Sequence, residues 1–247
     1  MKRNRSGGPG MSAAQALENL LHALDTTRMV DLSHTIEQGM PVYPTHPQYF
    51  HMEWNTGDPA NLYQLLISEH AGTHLDCPAH FYGNPADPRS VPLEAVPVER
   101  FINRAVKLEF LDLPGNRELD AGDLRRWEEQ HALLQGSTAA VFYFGWDRKW
   151  ANLPQGRAFL EAWPGLNRQA AEYLAERRVR LVGTDCLGID GSSTSDLGAH
   201  YVLLENGILI VENLKNLGQL PGEFLLLTLP LKIKNGTGCP VRAVAIY

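Results

Sequence analysis

From His70 to His80 the chain reads His-Ala-Gly-Thr-His-Leu-Asp-Cys-Pro-Ala-His, so three histidines and one aspartate fall within eleven positions. No other stretch concentrates side chains of the metal-ligand type so tightly. Imidazole nitrogen together with carboxylate oxygen suits a borderline divalent cation such as zinc or manganese. Cys77 is the single thiol in the cluster, which argues against a thiolate site. A cation held by nitrogen and oxygen ligands, with one position left to water, is the usual apparatus of hydrolysis.

These side chains act together only if the fold brings them to one point. Gly72 and Pro78 make the cluster irregular, and a strand candidate at 62–69 leads straight into it. A helical reading of His70 and His74 is therefore disfavoured. His74 and Asp76, two residues apart, share a face if the chain is extended there. Upstream, Pro41-Val-Tyr-Pro-Thr-His-Pro47 cannot be helix interior, because its prolines remove donors and restrict the backbone. It reads as a rigid loop presenting Tyr43 and His46.

Apolar spacing predicts helices at 12–25, 121–131 and 166–177, the first with a stripe of Leu17, Leu20, Leu21 and Leu24 and the third with Asn167 near its start. Strands are expected at 28–32, 104–110, 139–145, 180–183, 208–211, 224–229 and 241–246. The alternation between 121 and 183 indicates an α/β middle, and the strand-rich ends indicate a mixed sheet or barrel-like arrangement flanked by helices. No internal repeat or clean linker is visible, so one domain over 12–247 is expected. Residues 1–11, basic and glycine-rich, read as a disordered tail.

A second set of ligand-type residues lies far along the chain. Glu212 sits in Gly-Ile-Leu-Ile-Val-Glu-Asn-Leu, and His200 precedes Tyr-Val-Leu-Leu. A carboxylate inside such a run is expected to be partly buried, which is costly unless it is paired or binds a cation. The alternative is an edge-of-strand glutamate reaching water or an arginine. Asp185 and Asp190 follow a predicted strand and either orient the site or cap turns. His34 lies near the Tyr43 loop, while His51 suits a pocket or a strand face. His22 and His131 are read as helix surface or packing residues, and Trp127, Trp146, Trp150 and Trp163 as core and interface anchors.

The 247 residues carry a net charge of −6, which with the lack of a basic patch argues against a nucleic-acid binder. No run approaches membrane-span length, and the basic start has no apolar stretch behind it, so no signal peptide is read. Three widely spaced cysteines, Cys77, Cys186 and Cys239, fit a reducing cytoplasm rather than a disulfide framework.

The segment His70 to Phe81 is similar to the HxGTHxDxPxHF motif of the metal-dependent cyclase-like hydrolase family, which includes bacterial kynurenine formamidase (arylformamidase) and isatin hydrolase. The resemblance extends over most of the chain. Asp31-Leu-Ser-His34 and Met40-Pro-Val-Tyr-Pro44 resemble the family's opening, and Gly183 to Asp190 its GxDxxSxD segment. His200 with Glu212 resembles its late ligand pair, and 238–246 its C-terminal strand. The resemblance implies a swivelling β/β/α-type fold and a homodimer or homotetramer. It implies one metal held by His70, His74 and Asp76, and a second, where present, held by Asp76, His200 and Glu212 with Asp76 bridging. It implies His80 as general acid/base. Tyr43 stands where the formamidases usually have tryptophan against the substrate, and Gly188 where serine is frequent.

The chemistry expected on this reading is hydrolysis of an aryl formamide, such as N-formylkynurenine, or of a small cyclic amide. A bound cation acidifies water, and His80, beyond a proline turn, accepts and returns the proton. The rivals are a non-catalytic protein with a closed structural metal site, a metal-free ligand-binding protein, and a family hydrolase acting on a lactone or ester. A serine or cysteine hydrolase is also weighed. It is disfavoured because no Gly-x-Ser-x-Gly elbow is present and Asp76 beside Cys77 opposes a thiolate.

Overall fold

The structure is a computed structural model that describes residues 12–57, 59–131, 134 and 138–247. The tail expected at 1–11 lies outside the described residues. In chain order the elements are α1 (Ala13–Thr26), β1 (Met29–Asp31), β2 (Phe50–Asn55), β3 (Leu62–Leu66), β4 (His74–Asp76), β5 (Ile102–Glu109), β6 (Glu118–Leu119), α2 (Ala121–Gln130) and β7 (Thr138–Tyr143). They continue with β8 (Gly165–Leu166), α3 (Arg168–Glu176), β9 (Leu181–Thr184), α4 (Gly198–Glu205), β10 (Leu209–Glu212), β11 (Glu223–Leu227), β12 (Gly238–Pro240) and β13 (Val244–Ile246), with short 3-10 turns between.

Nine of these strands form one mixed sheet in the order β1-β13-β11-β5-β7-β9-β10-β4-β12, curled into a half-barrel. Its centre, β5-β7-β9-β10, is parallel, and the connections between successive strands carry α2, α3 and α4. Parallel neighbours need such crossovers, and covering both faces requires nearly continuous apolar strands. β7, β9 and β10 are buried at every residue. Their side chains alternate between two cores: Ala140, Phe142, Val182 and Ile210 meet the helices, and Ala139, Val141, Leu181 and Leu209 face the other side.

Local sequence accounts for two of the helices. Asp120 and Asp123 close a reciprocal capping box on α2, and the Asn167 side chain accepts from Ala170 N at 3.0 Å to start α3. α4 was not expected, because Gly-Ala-His-Tyr-Val-Leu-Leu-Glu is buried almost all round and shows no one-sided stripe. The strand expected at 62–69 ends at Leu66 and pairs with β2 in a separate ribbon, not with the main sheet. The strand expected at 241–246 is shortened to β13, which pairs with β1 and β11, while the preceding residues 238–240 form a separate strand, β12, beside β4.

α1 and the β2–β3 ribbon leave much apolar surface exposed. Leu17, Leu20, Leu21, Trp54, Leu62, Leu65 and Leu66 are each more than half exposed, and α1 buries no residue. No described helix is long and apolar enough to cross a membrane.

His34 lies against Trp150 with ring centroids 3.9 Å apart, and its buried Nε2 has no hydrogen-bond partner among the described residues. Burial pushes its pKa from 6.5 down to about 3. Below pH 6.5 the unfolded chain therefore binds a proton here that the folded chain refuses, so stability falls as pH drops towards 3. His34→Phe removes that loss. By urea unfolding, the variant is expected to gain on the parent by up to about 2 kcal/mol between pH 7 and pH 5. An unchanged difference at the two pH values would exclude a buried neutral His34.

Candidate active site

The antiparallel pairing of β4 with β10 sets Glu212 directly opposite His74 and Ile210 opposite Asp76. The pleat turns Leu75 and Val211 into the second core and sends His74, Asp76 and Glu212 to the helix side. Glu212 is the last residue of β10, at the carboxyl end of the parallel strands, where open α/β sheets place their ligand crevices. Gly72, at φ +62, makes the turn that delivers the chain into β4, and Pro78 starts the 3-10 turn carrying His80. The first turn of α4 supplies His200 from above.

Five ligand-type residues meet here. His74 Nε2 is 3.5 Å from both Asp76 Oδ1 and Glu212 Oε2. His200 Nε2 is 3.3 Å from Glu212 Oε1 and 3.7 Å from Asp76 Oδ2. His70 Nδ1 is 2.6 Å from Asp76 Oδ1. Within the cluster, ligand atoms of His74, Asp76 and Glu212 lie within 4.8 Å of one another, as do those of His70, Asp76 and His80. The Glu212 carboxylate also accepts from Ile189 N at 2.7 Å.

Charge in this pocket is strongly coupled. Burial raises the Asp76 pKa, but the imidazoles of His70 and His74 more than reverse this and hold it well below the usual carboxylate range. Burial likewise lowers His70 and His200, yet the carboxylates facing them (Asp76 for His70, Asp190 for His200) hold both above the usual histidine range. The cluster therefore calls for positive charge. Asp76 Oδ2 is buried with no hydrogen-bond partner among the described residues, a costly state unless a cation takes it up. Three imidazoles and two carboxylates around that oxygen fit a divalent cation.

His80 lies at the rim, its ring stacked on His70 at 3.8 Å, and burial pushes its pKa down to about 3, so it is neutral at pH 7. His46 Nδ1 donates to the His70 carbonyl at 3.2 Å, and Tyr43 stands 5.3 Å from the His46 ring and 6.4 Å edge-on from Trp163. Tyr43, His46, Phe81, Leu187 and Leu197 line a cavity of about 210 Å³ whose floor includes His74, His200 and Glu212. Leu187 and Leu197 carry no chemistry-bearing group, so sequence reading passed over them. Asn213, also lining the cavity, donates to the Gly72 carbonyl at 2.8 Å and takes φ 58, a conformation asparagine tolerates. A Cβ at Gly188 would meet Trp163 Nε1 at 3.5 Å and Glu212 Oε1 at 3.9 Å, so the site has room for a small side chain there.

Of the two aspartates considered beyond the cluster, Asp190 reaches the site and Asp185 does not. Asp190 accepts from Ala199 N at 2.7 Å and His200 N at 3.2 Å and hydrogen-bonds His200 Nδ1, capping α4 and orienting its histidine in one stroke. Asp185 instead accepts from Phe144 N and Trp146 N and ties down the loop after β7. His34 is absent from the cavity lining, and His51 lies on the exposed ribbon against Tyr63. The three cysteines are buried and free; burial pushes Cys77 up to about 12, which excludes a thiolate nucleophile at neutral pH.

With this geometry in hand, the known proteins that the chain resembles are informative. A family model described as putative cyclase matches residues 30–191. The kynurenine formamidase of Erythrobacter litoralis is 28% identical over 221 residues, covering 88% of this chain and 93% of that protein. The kynurenine formamidase of Paracidovorax citrulli is 31% identical over 229 residues, covering 90% and 98%. Among solved structures, isatin hydrolase A from Labrenzia aggregata, bound to benzyl benzoate, superposes with TM-score 0.85 at 28% identity, over 94% of this chain and 98% of that one.

Proposed function

We propose, from the premise that this chain belongs to the putative cyclase family, that it hydrolyses the amide bond of an aryl formamide of the N-formylkynurenine type or of a small cyclic amide. One observation carries the reading. Imidazoles and carboxylates from β4, α4 and β10, with His70 just before β4, converge beside a small cavity walled by Tyr43 and Phe81. The formamidase and isatin hydrolase relatives support the same substrate chemistry.

His70, His74 and Asp76 would hold one divalent ion, zinc or manganese, and Asp76, His200 and Glu212 a second, giving one or two per subunit. Such an ion, when bound, polarises the carbonyl and acidifies water. The chain's own groups do the rest. Tyr43 and Phe81 hold the aromatic ring by face and edge contacts. His46 stands next to Tyr43 to meet a polar substituent. Neutral His80 takes the proton released as water adds to the carbonyl carbon. It returns that proton to the nitrogen as the C–N bond breaks, leaving an amine and a carboxylic acid that then gives up its proton to solvent. The walls of the cavity keep bulk water from this exchange.

The test is a panel of N-formylkynurenine, isatin and simple cyclic imides, assayed after chelation and after adding back zinc or manganese. Turnover that disappears on chelation and returns with metal is expected. No turnover of any of them, or full activity after chelation, would refute the reading.

The exposed stripe of α1 and the β2–β3 ribbon support a homodimer or homotetramer, because an isolated two-stranded ribbon is marginal in water. Sedimentation equilibrium at micromolar concentration is expected to give at least twice the chain mass; a monomer would overturn this. The buried free cysteines support a cytoplasmic location.

A further inference from the structure

We propose that Glu69, Thr237 and Gly238 are positioning residues that present His70 to the site through Nδ1. The inference rests on the metal-site reading above.

The hydrogen-bond directions follow from donor chemistry. Thr237 Oγ1 lies 2.7 Å from Glu69 Oε2, and Thr237 N donates to the same oxygen at 2.9 Å. An ionised carboxylate only accepts, so the threonine hydroxyl gives its hydrogen to Glu69. The hydroxyl oxygen is then left as an acceptor, and 2.8 Å away stands His70 Nε2, which must donate to it. Without a cation, Nδ1 carries the ring's other hydrogen towards the Asp76 carboxylate; a cation that displaces that hydrogen meets the Nδ1 lone pair. That lone pair faces Asp76 Oδ1 at 2.6 Å. Two lone pairs so close repel unless a proton or a divalent cation lies between them. Glu69 and Thr237 therefore aim the ring for cation binding.

The other two histidines are held the opposite way round. His74 Nδ1 is 2.9 Å from the Gly72 carbonyl, and His200 Nδ1 is bonded to Asp190, so both offer Nε2. Among the three, His70 alone is presented through Nδ1, and its direct partner on the other nitrogen, Thr237, comes from the far end of the chain.

Gly238 is an independent observation in the same place. A Cβ on it would lie 2.5 Å from His70 Cε1, 2.9 Å from His70 Nδ1 and 2.7 Å from the Leu75 carbonyl. Only glycine lets the start of β12 pack this close to the ring while pairing with Asp76 in register. The Thr237-Gly238 pair thus sets both the height of the ring and its tautomer.

The experiment has two readouts. In the zinc-loaded parent protein, labelled with nitrogen-15 at histidine, the His70 resonance (assigned by its loss in His70→Gln) is expected to report a ring protonated at Nε2 and without hydrogen at Nδ1. Affinity for zinc and for manganese is then measured by competition with a chromogenic chelator. Thr237→Val, which keeps shape and removes the hydroxyl, is expected to weaken binding about 10- to 100-fold, and Thr237→Ser to stay within about threefold of the parent. Glu69→Gln is expected to weaken it in the same direction. An Nδ1-protonated His70 in the zinc-loaded parent would overturn the proposal, as would Thr237→Val binding metal like the parent. Should the parent bind no metal, the metal-site reading falls and this inference falls with it, whereas a parent that binds metal with hydrogen on Nδ1 overturns this inference alone. Should Thr237→Val fail to fold, the parent tautomer and the Glu69→Gln affinity decide it.

Discussion

Asp76→Asn protein is expected to fold, to purify with metal at background level, and to lose at least about a thousandfold in kcat/KM, some 4 kcal/mol of transition-state stabilisation. The reason lies in the position of this carboxylate. It is buried between His70 and His74, it faces His200, and its Oδ2 has no hydrogen-bond partner among the described residues. An asparagine keeps the shape but supplies no charge, and every arrangement that uses the cluster to bind a cation passes through this one side chain. Elemental analysis, circular dichroism and an activity assay on the same preparation check it. Asp76→Asn that retains stoichiometric metal and turnover would show that the convergence of ligands is incidental.

His80→Ala is expected to lower kcat by about 10²- to 10⁴-fold, the range for loss of a general acid/base, while leaving metal content and KM close to those of the parent. The separation of the two readouts matters because His80 stands close enough to His70 and Asp76 to serve as a ligand. Its ring is stacked on His70 and kept neutral by burial. A proton carrier is lost without the ion; a ligand takes the ion with it. Metal loss in parallel with activity would move His80 from proton transfer to coordination.

Much of the local machinery was legible in residue order. The two-residue spacing of His74 and Asp76 marks one face of an extended segment, and β4 has that face. Gly72 and Pro78 mark the irregular entry and exit. Asn167 and the periodic residues after it mark α3. These features are set by steric limits and short-range hydrogen bonds, which neighbouring residues decide among themselves. Glu212 stood out because a charge in an apolar run calls for a partner, although the run alone left open whether that partner was a cation, an arginine or water.

Other parts depended on packing between distant segments. α4 has no amphipathic stripe because it is enclosed by other elements, and its cap comes from Asp190 across a loop rather than from the residue before it. Thr237 and Glu69 sit 168 positions apart and look unremarkable until β12 pairs with β4. The strand expected at 62–69 satisfies its backbone with β2, outside the main sheet, so its apolar side chains remain exposed.

Taken alone, the order of residues determined which atoms are available for chemistry and which local turns and strand faces present them, since those follow from side-chain type and backbone sterics. The tertiary structure decided which nitrogen of each imidazole faces the carboxylates, that Asp190 rather than Asp185 supports the site, and what walls the cavity. Those outcomes depend on strand order and helix docking, where contacts between residues far apart in the chain settle geometry to within an ångström.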